Sequence, residues 1–307
     1  MNEIQKKILI NSIIEESGVN AHSLKNYNYV FFGSARFSSI FLKTLASQYF
    51  LPKIVVCNPD KPIGRKKIVT PPQIKIFAQE NNIDATQPKN KEELENIAKI
   101  YQKNGAELGI VAAYSKIIPK SLIDAPPYGT WGIHPSLLPK YRGATPIQSA
   151  LLAGEIETGV TIYQMDEAVD HGPILYQLPV KILPADNYLS LEEKLAINAV
   201  VAFLKTVQVF IEKKDGVPEI QNHETATFTK KFTTADGAVD IIKNLPLEIY
   251  RKIQALNPEP GVFTLNYPSR EGQRVKLLEA KEKTGQITIT KIHPAGKNPT
   301  EANLALK

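Results

Sequence analysis

One cysteine, two methionines and one tryptophan are all that the 307 residues contain of those types. The lone Cys57 excludes an internal disulfide and any cysteine-built metal cluster, which suits a reducing compartment. The five histidines are scattered, so no set of ligands with metal-site spacing forms, and no metal is expected. No apolar run approaches the roughly 20 residues of a membrane span. The N-terminus lacks an apolar stretch followed by a small-residue cleavage site. A cytoplasmic protein without membrane association is therefore expected. Glycine is scarce where one class of cofactor would need it. Gly33-Ser34-Ala35-Arg36-Phe37-Ser38 follows an apolar segment but lacks the three-glycine dinucleotide fingerprint, so no NAD(P) site is expected.

The composition is 43% hydrophobic and 22% charged, the balance of a globular protein with an ordinary core. The length allows two domains. Lys and Arg outnumber Asp and Glu by 37 to 31, a net charge of +6. That excess permits an anionic partner such as RNA, although a lysine-rich composition alone produces the same number.

Residues 1–27 read as a helical extension, with Ile4, Ile8, Ile10, Ile13 and Ile14 at helical spacing and Gly18 as a stop. From Tyr29 onward apolar strands alternate with helices. Strands are expected at 29–33, 54–57 and 108–113, and helices at 38–49, 71–81 and 90–104. This alternation predicts an α/β fold with a Rossmann-like, doubly wound, mostly parallel sheet. Ligands in such sheets sit beyond the carboxyl ends of strands. Two later strands, 159–165 and 174–180, flank an acidic loop. Ser190 and Glu193 are spaced as a capping box for a long helix running to about Lys213. Residues 215–231 are polar and read as a linker. A helix near 247–256 and three short strands, at 262–267, 274–280 and 286–293, are expected in a smaller C-terminal domain. The expected divisions are thus 1–27, 28–214, 215–231 and 232–307.

Two patches carry candidate chemistry. His134 follows an expected strand and opens a loop bounded by Pro135, Pro139 and Gly143. A neutral histidine can serve as a base near pH 7. Asp170 lies in the loop with Asp166 and Glu167, and a carboxylate beside a histidine orients it and favours its protonated form. Each alone has a bland reading, a satisfied loop histidine and a solvated acidic turn. Their convergence on one sheet end is what would make a site. A third patch, 60–67, places Lys61, Arg65, Lys66 and Lys67 within seven residues around Pro62 and Gly64. It is a solvated basic turn or a phosphate clamp.

The run Ile133-His134-Pro135-Ser136-Leu137-Leu138-Pro139, with Arg142-Gly143 and Pro146-Ile147-Gln148, and the patch 165–172 resemble the active-site signature of the folate-dependent formyltransferases. The resemblance extends over roughly residues 28 to 299, including Asn257-Pro258-Glu259-Pro260-Gly261 and Pro294-Ala295-Gly296-Lys297. It implies formyl transfer from 10-formyltetrahydrofolate to an amine, with His134 and Asp170 catalytic. It implies that Ser136, Leu137, Leu138 and Pro139, with Lys116 and Ile117, border the folate. The basic loop resembles the insertion with which family members acting on methionyl-tRNA grip the acceptor stem. Lys61, Arg65, Lys66 and Lys67 would then contact initiator methionyl-tRNA, and a monomer would suffice.

Two positions depart from the family pattern. The family has an asparagine two residues before its histidine, where this chain has Gly132. Losing one oxyanion donor costs about 10²–10³ in rate. The family's C-terminal domain resembles a five-stranded OB barrel, and only about three strands can be placed here, so a shortened β-rich domain is expected. The other readings are an amino-sugar N-formyltransferase, which would not need the basic loop, and a catalytically impaired folate- or RNA-binding paralogue.

Overall fold

The computed structural model describes residues 11–13, 15, 18, 27–48, 50–63, 67–268 and 270–306. The chain divides into two compact units. The first comprises Met1–Arg142, Gly159–Val180 and Glu193–Thr227; the second comprises Gly143–Thr158, Lys181–Glu192 and Phe228–Lys307. The N-terminal helix expected from the isoleucine spacing lies outside the described residues except at 11–13 and 15, which are helical.

The first unit is organised by a sheet of seven strands: β1 (Tyr29–Gly33), β2 (Ile54–Val56), β5 (Asp84–Thr86), β6 (Leu108–Ala112), β7 (Thr130–His134), β8 (Glu157–Gln164) and β9 (Ile174–Lys181). Their order is β5-β2-β1-β6-β7-β8-β9. The first five run parallel, and β8 pairs antiparallel to β7. β1 is Tyr-Val-Phe-Phe-Gly with every residue buried, as expected for a strand covered on both faces. The strand order reverses between β1 and β6, the point at which such sheets leave a crevice for ligands.

Helices α1 (Arg36–Ala46), α2 (Gln73–Glu80), α3 (Lys91–Glu95), α4 (Ile97–Asn104) and α5 (Lys120–Ile123) connect the parallel strands. The helix expected over 90–104 is two helices. Asn90 caps the first by accepting from the Glu93 amide at 2.8 Å. Phe31 and Phe41 stack at 5.8 Å, and Phe203 meets Phe41 and Trp131 edge-on at 6.0 and 6.1 Å. Such aromatic contacts supply much of a core's buried area.

Phe203 lies on α7 (Tyr188–Val207), which continues through a π-type turn to Lys213. Two sequence expectations change here. The reciprocal cap is made by Asn187 and Ser190, not by Ser190 and Glu193. Asn187 Oδ1 accepts from the Ser190 amide at 3.0 Å, and Ser190 Oγ accepts from the Asn187 amide at 2.9 Å. Ser190 is therefore inside the first turn, and Glu193 turns to Arg36 at 3.6 Å. Moreover, the continuous helix Tyr188–Lys213 has a mean hydropathy of 1.6 over its most apolar stretch, enough by length and composition to cross a bilayer. Two-thirds of that stretch (67%) is buried inside the protein, so it is a core helix. Interrupting charges at Glu192, Glu193, Lys194 and Lys205 hide it from a count of uninterrupted apolar residues.

The basic segment at 60–67 is a ribbon rather than a bare turn. β3 (Lys61–Ile63) pairs antiparallel with β4 (Ile68–Thr70). Residues 64–66 lie outside the described residues.

The second unit contains α6 (Pro146–Ala153) and α8 (Pro246–Leu256), which pack on each other, and a sheet of four antiparallel strands. These are β10 (Val262–Thr264), β11 (Val275–Lys283), β12 (Gln286–Pro294) and β13 (Thr300–Ala305), in that order. The expected three strands are present and β13 is additional. Its sequence, Thr-Glu-Ala-Asn-Leu-Ala, is polar and largely exposed, as an edge strand can be, and it carries little alternation to detect. In the preceding turn Asn257 donates to the carbonyls of Leu277 and Leu278 and accepts from the Val262 amide. That side chain ties the end of α8 to the sheet.

Candidate active site

The last residue of β7 is His134, 5% exposed. A parallel strand must end in a turn, and here the chain leaves it through Pro135 into a loop that is satisfied internally. Ser136 Oγ donates to the Lys140 carbonyl at 2.6 Å. The Leu138 amide donates to Thr161 Oγ1 at 3.1 Å, and Thr161 Oγ1 donates to the Ser136 carbonyl at 2.7 Å. Gln177 Nε2 reaches the Leu138 carbonyl at 2.8 Å. Tyr141, at φ 61, turns the chain back, and its amide donates to Thr227 Oγ1 at 2.8 Å. Its carbonyl oxygen then lies 2.8 Å from His134 Nε2.

That contact decides the tautomer. A carbonyl oxygen only accepts, so Nε2 carries a proton. The other nitrogen, Nδ1, lies 3.5 Å from Asp170 Oδ2. With Nε2 committed to the carbonyl, Nδ1 is the ring nitrogen that faces the Asp170 carboxylate. The arrangement can hold or release a proton at Nδ1, as general acid–base chemistry requires.

Asp170 reaches this place because the chain between β8 and β9 folds tightly. Gly172 permits it, since a Cβ there would fall 1.9 Å from the Gln164 carbonyl oxygen. Asp170 itself has φ 49, a conformation that aspartate adopts more readily than most residues. Gln221 Nε2 donates to the carbonyls of Asp170 and Gly172 at 3.0 and 2.7 Å. Gln221 Oε1 in turn accepts from buried Arg142 at 2.6 Å. Asp166 Oδ2 lies 2.6 Å from His171 Nδ1, and the His171 ring stacks on that of His223 at 4.0 Å. Burial, with His171 and Arg142 close by, pushes the His223 pKa below its usual value.

The residue that sequence reasoning missed is Tyr163. Its hydroxyl donates to Asp170 Oδ1 at 2.8 Å, and it is the direct β8 partner of Gly132. Burial, followed by the Asp170 charge, raises its phenol pKa well above 10. Neither segment alone signals it, because the contact depends on which residues the two strands pair.

The remaining predicted residues fall into three places. Lys116 and Ile117 line a cavity of about 740 Å³, with Leu94, Ile118, Lys89 and Lys91 among its other walls. Ser136 and Leu138 are buried in the loop, Leu138 against Tyr163, Ile174 and Met165, and Leu137 and Pro139 are half-buried. Lys61 and Lys67 are exposed on the ribbon, and Arg65 and Lys66 lie outside the described residues. Among the described residues no group of three or more His, Cys, Asp or Glu side chains could hold a metal ion.

Comparison with known proteins gives the family. Residues 28–207 match the family model described as formyl transferase. A methionyl-tRNA formyltransferase of Caldicellulosiruptor saccharolyticus is 36% identical over 251 residues, covering 81% of this chain and 78% of that protein. Among solved structures, the methionyl-tRNA formyltransferase from Clostridium thermocellum superposes with TM-score 0.53 at 18% identity, covering 91% of this chain and all (100%) of that one. A sugar N-formyltransferase from Shewanella superposes with TM-score 0.61 at 16% identity over 84% and 99% of the two chains. At those identities the two structures share the fold with this chain and nothing finer. Relatives that match it along most of its length are methionyl-tRNA formyltransferases, and the chain belongs to the formyl transferase family.

Proposed function

We propose that the protein transfers a formyl group from 10-formyltetrahydrofolate to the α-amine of initiator methionyl-tRNA in the cytoplasm. The observation that carries the chemistry is the approach of His134 Nδ1 to Asp170 Oδ2 at the carboxyl end of the central sheet. The choice of acceptor is supported by the relative's name and by the exposed lysines of the β3–β4 ribbon.

The cavity beside Lys116 suits a folate. Leu94, Ile117 and Ile118 offer apolar contact for a ring system, and Lys89 offers a cation for an anionic tail, while Lys91 and Lys120 are ion-paired with Glu95 and Asp124. The folate supplies a formyl group on N10. The unprotonated amine attacks the formyl carbon, the C–N10 bond breaks, the amine loses a proton and N10 gains one. His134 accepts and delivers that proton at Nδ1. Asp170 orients the ring. Lys61, Arg65, Lys66 and Lys67 contact acceptor-stem phosphates.

The test measures formyl transfer to methionyl-tRNA and to a nucleotide-linked amino sugar, in the wild type and in an Arg65→Glu/Lys66→Glu variant. Transfer to the tRNA that weakens in the variant supports the reading. Transfer to the sugar alone, insensitive to the charge reversal, replaces the acceptor. Folate or tRNA binding with no transfer to either acceptor would make the chain a binding paralogue.

A further inference from the structure

We propose that Tyr163 is a positioning residue for this site: its phenol enters through the space left open at Gly132 and fixes the Asp170 carboxylate against His134. The inference rests on the roles given above to His134 and Asp170.

Three observations carry it. First, Gly132 and Tyr163 face each other on neighbouring antiparallel strands. A Cβ on Gly132 would lie 2.3 Å from Tyr163 Cε1 and Cζ and 2.6 Å from its hydroxyl oxygen. A side chain at 132 and the ring in its present place exclude each other. Second, that placement brings the hydroxyl to Asp170 Oδ1 at 2.8 Å, while Oδ2 faces His134 Nδ1 at 3.5 Å. The two carboxylate oxygens are rigidly related, so anchoring one sets the direction of the other. Third, the Asp170 backbone is held separately, through Gln221 and its own turn. The phenol therefore acts on the carboxylate rather than on the loop. Tyr163 is 5% exposed and packs with Leu138, Ile174 and Met165, and its raised pKa keeps the hydroxyl a donor through the physiological range.

A hydrogen bond to a carboxylate holds one rotamer against several. Its loss lets the carboxylate turn from the imidazole, lowering the fraction of molecules arranged for proton transfer without altering how folate is held. The step affected is kcat.

The experiment uses Tyr163→Phe, which keeps the ring and removes only the hydroxyl, and Tyr163→Leu as a second variant without it. ¹⁵N NMR of the His134 imidazole is recorded for both, for wild type and for Asp170→Asn. Tyr163→Phe should move the His134 ring resonances toward those of Asp170→Asn. Resonances identical to wild type in both Tyr163 variants overturn the proposal, whether or not the protein transfers formyl. In the transfer assay, kcat should fall about tenfold with KM for 10-formyltetrahydrofolate within about twofold. An unchanged kcat, or a change in KM alone, also overturns it. A wild type that transfers to neither acceptor defeats the proposed function, and the NMR comparison still decides the role of Tyr163.

Discussion

The carbonyl oxygen of Tyr141 lies 2.8 Å from His134 Nε2 and so commits that nitrogen to donate, leaving Nδ1 toward Asp170. The buried ring thus has a structural end and a chemical end, and substitutions separate them. His134→Gln can place an amide near the Tyr141 carbonyl, and His134→Ala cannot. Turnover should fall by about 10²–10⁴ in both. Thermal stability should fall more in His134→Ala, where the buried carbonyl loses a donor at about 1–3 kcal/mol. Steady-state transfer together with denaturant unfolding measures both; wild-type turnover in either variant would remove His134 from the mechanism.

Gly132→Asn offers a sharper test, because the expectation from sequence resemblance and the packing give opposite answers. The asparagine that the sequence resemblance implies at this place would supply an oxyanion donor. The Tyr163 ring already fills that space, at 2.3 Å from where the new Cβ must go. Both residues belong to central strands, so relief requires the ring to leave. We expect Gly132→Asn to destabilise the protein by about 1–3 kcal/mol, as overpacked cores do, and to lower transfer. Gly132→Asn/Tyr163→Ala should recover stability relative to the single variant. A single variant as stable as wild type and more active would mean that the ring yields at little cost.

How far the sequence speaks follows from the range of each interaction. β1 is legible because a strand buried on both faces is written as an unbroken apolar run. His134 is legible because it closes an apolar strand of the parallel sheet at the carboxyl end. Asp170, in contrast, follows β8, which runs antiparallel to β7 and ends beside Trp131, and only the tight fold of its loop returns the carboxylate to the histidine. The Gly132–Tyr163 relation is not legible, since it depends on the register of two strands and says nothing in either segment alone. β13 escapes for the opposite reason: as a mostly exposed edge it needs few apolar residues, and only Ala302 and Leu304 are half-buried. The start of α7 was misplaced because Asn187, Ser190 and Glu193 are all capping types at spacings of three, and only the hydrogen bonds choose between the two pairs.

That choice gives a third prediction. Asn187→Ala removes the acceptor for the Ser190 amide and should cost about 1 kcal/mol. Glu193→Ala should cost little, since its contact with Arg36 at 3.6 Å is partly exposed and such pairs contribute about 0–1 kcal/mol. Chemical denaturation of the two variants measures the difference. Equal losses, or a larger loss for Glu193→Ala, would return the cap to the Ser190–Glu193 pair.

Phosphate binding by the ribbon predicts a salt dependence. Each cation that neutralises a phosphate releases counterions, so removing contacts flattens the fall of affinity with salt. In Arg65→Glu/Lys66→Glu the slope of log affinity for methionyl-tRNA against log salt should become shallower by roughly 1 to 2. The KM for 10-formyltetrahydrofolate should not change. A slope equal to that of the wild type would place the RNA elsewhere on the protein.

Cys57 gives a prediction that reads stability directly against pH. It follows β2, is fully buried, and burial pushes its thiol up to about 11 from an ordinary 9.0, with the Asp60 charge adding to the shift and the Lys75 charge opposing it. The unfolded chain therefore releases this proton near pH 9 while the folded chain keeps it until about 11. Between those values each rise in pH favours the unfolded state, and stability is lost through that window rather than gained. A difference of two units corresponds to about 2–3 kcal/mol. Urea unfolding at pH 8 and pH 11 should show that loss in the wild type, and a smaller one in Cys57→Ala. At pH 8 the native thiol should resist alkylation until denaturant is added. Rapid labelling of the folded protein, or equal alkaline losses in wild type and Cys57→Ala, would mean that the thiol is reached by solvent and does not contribute to the alkaline slope.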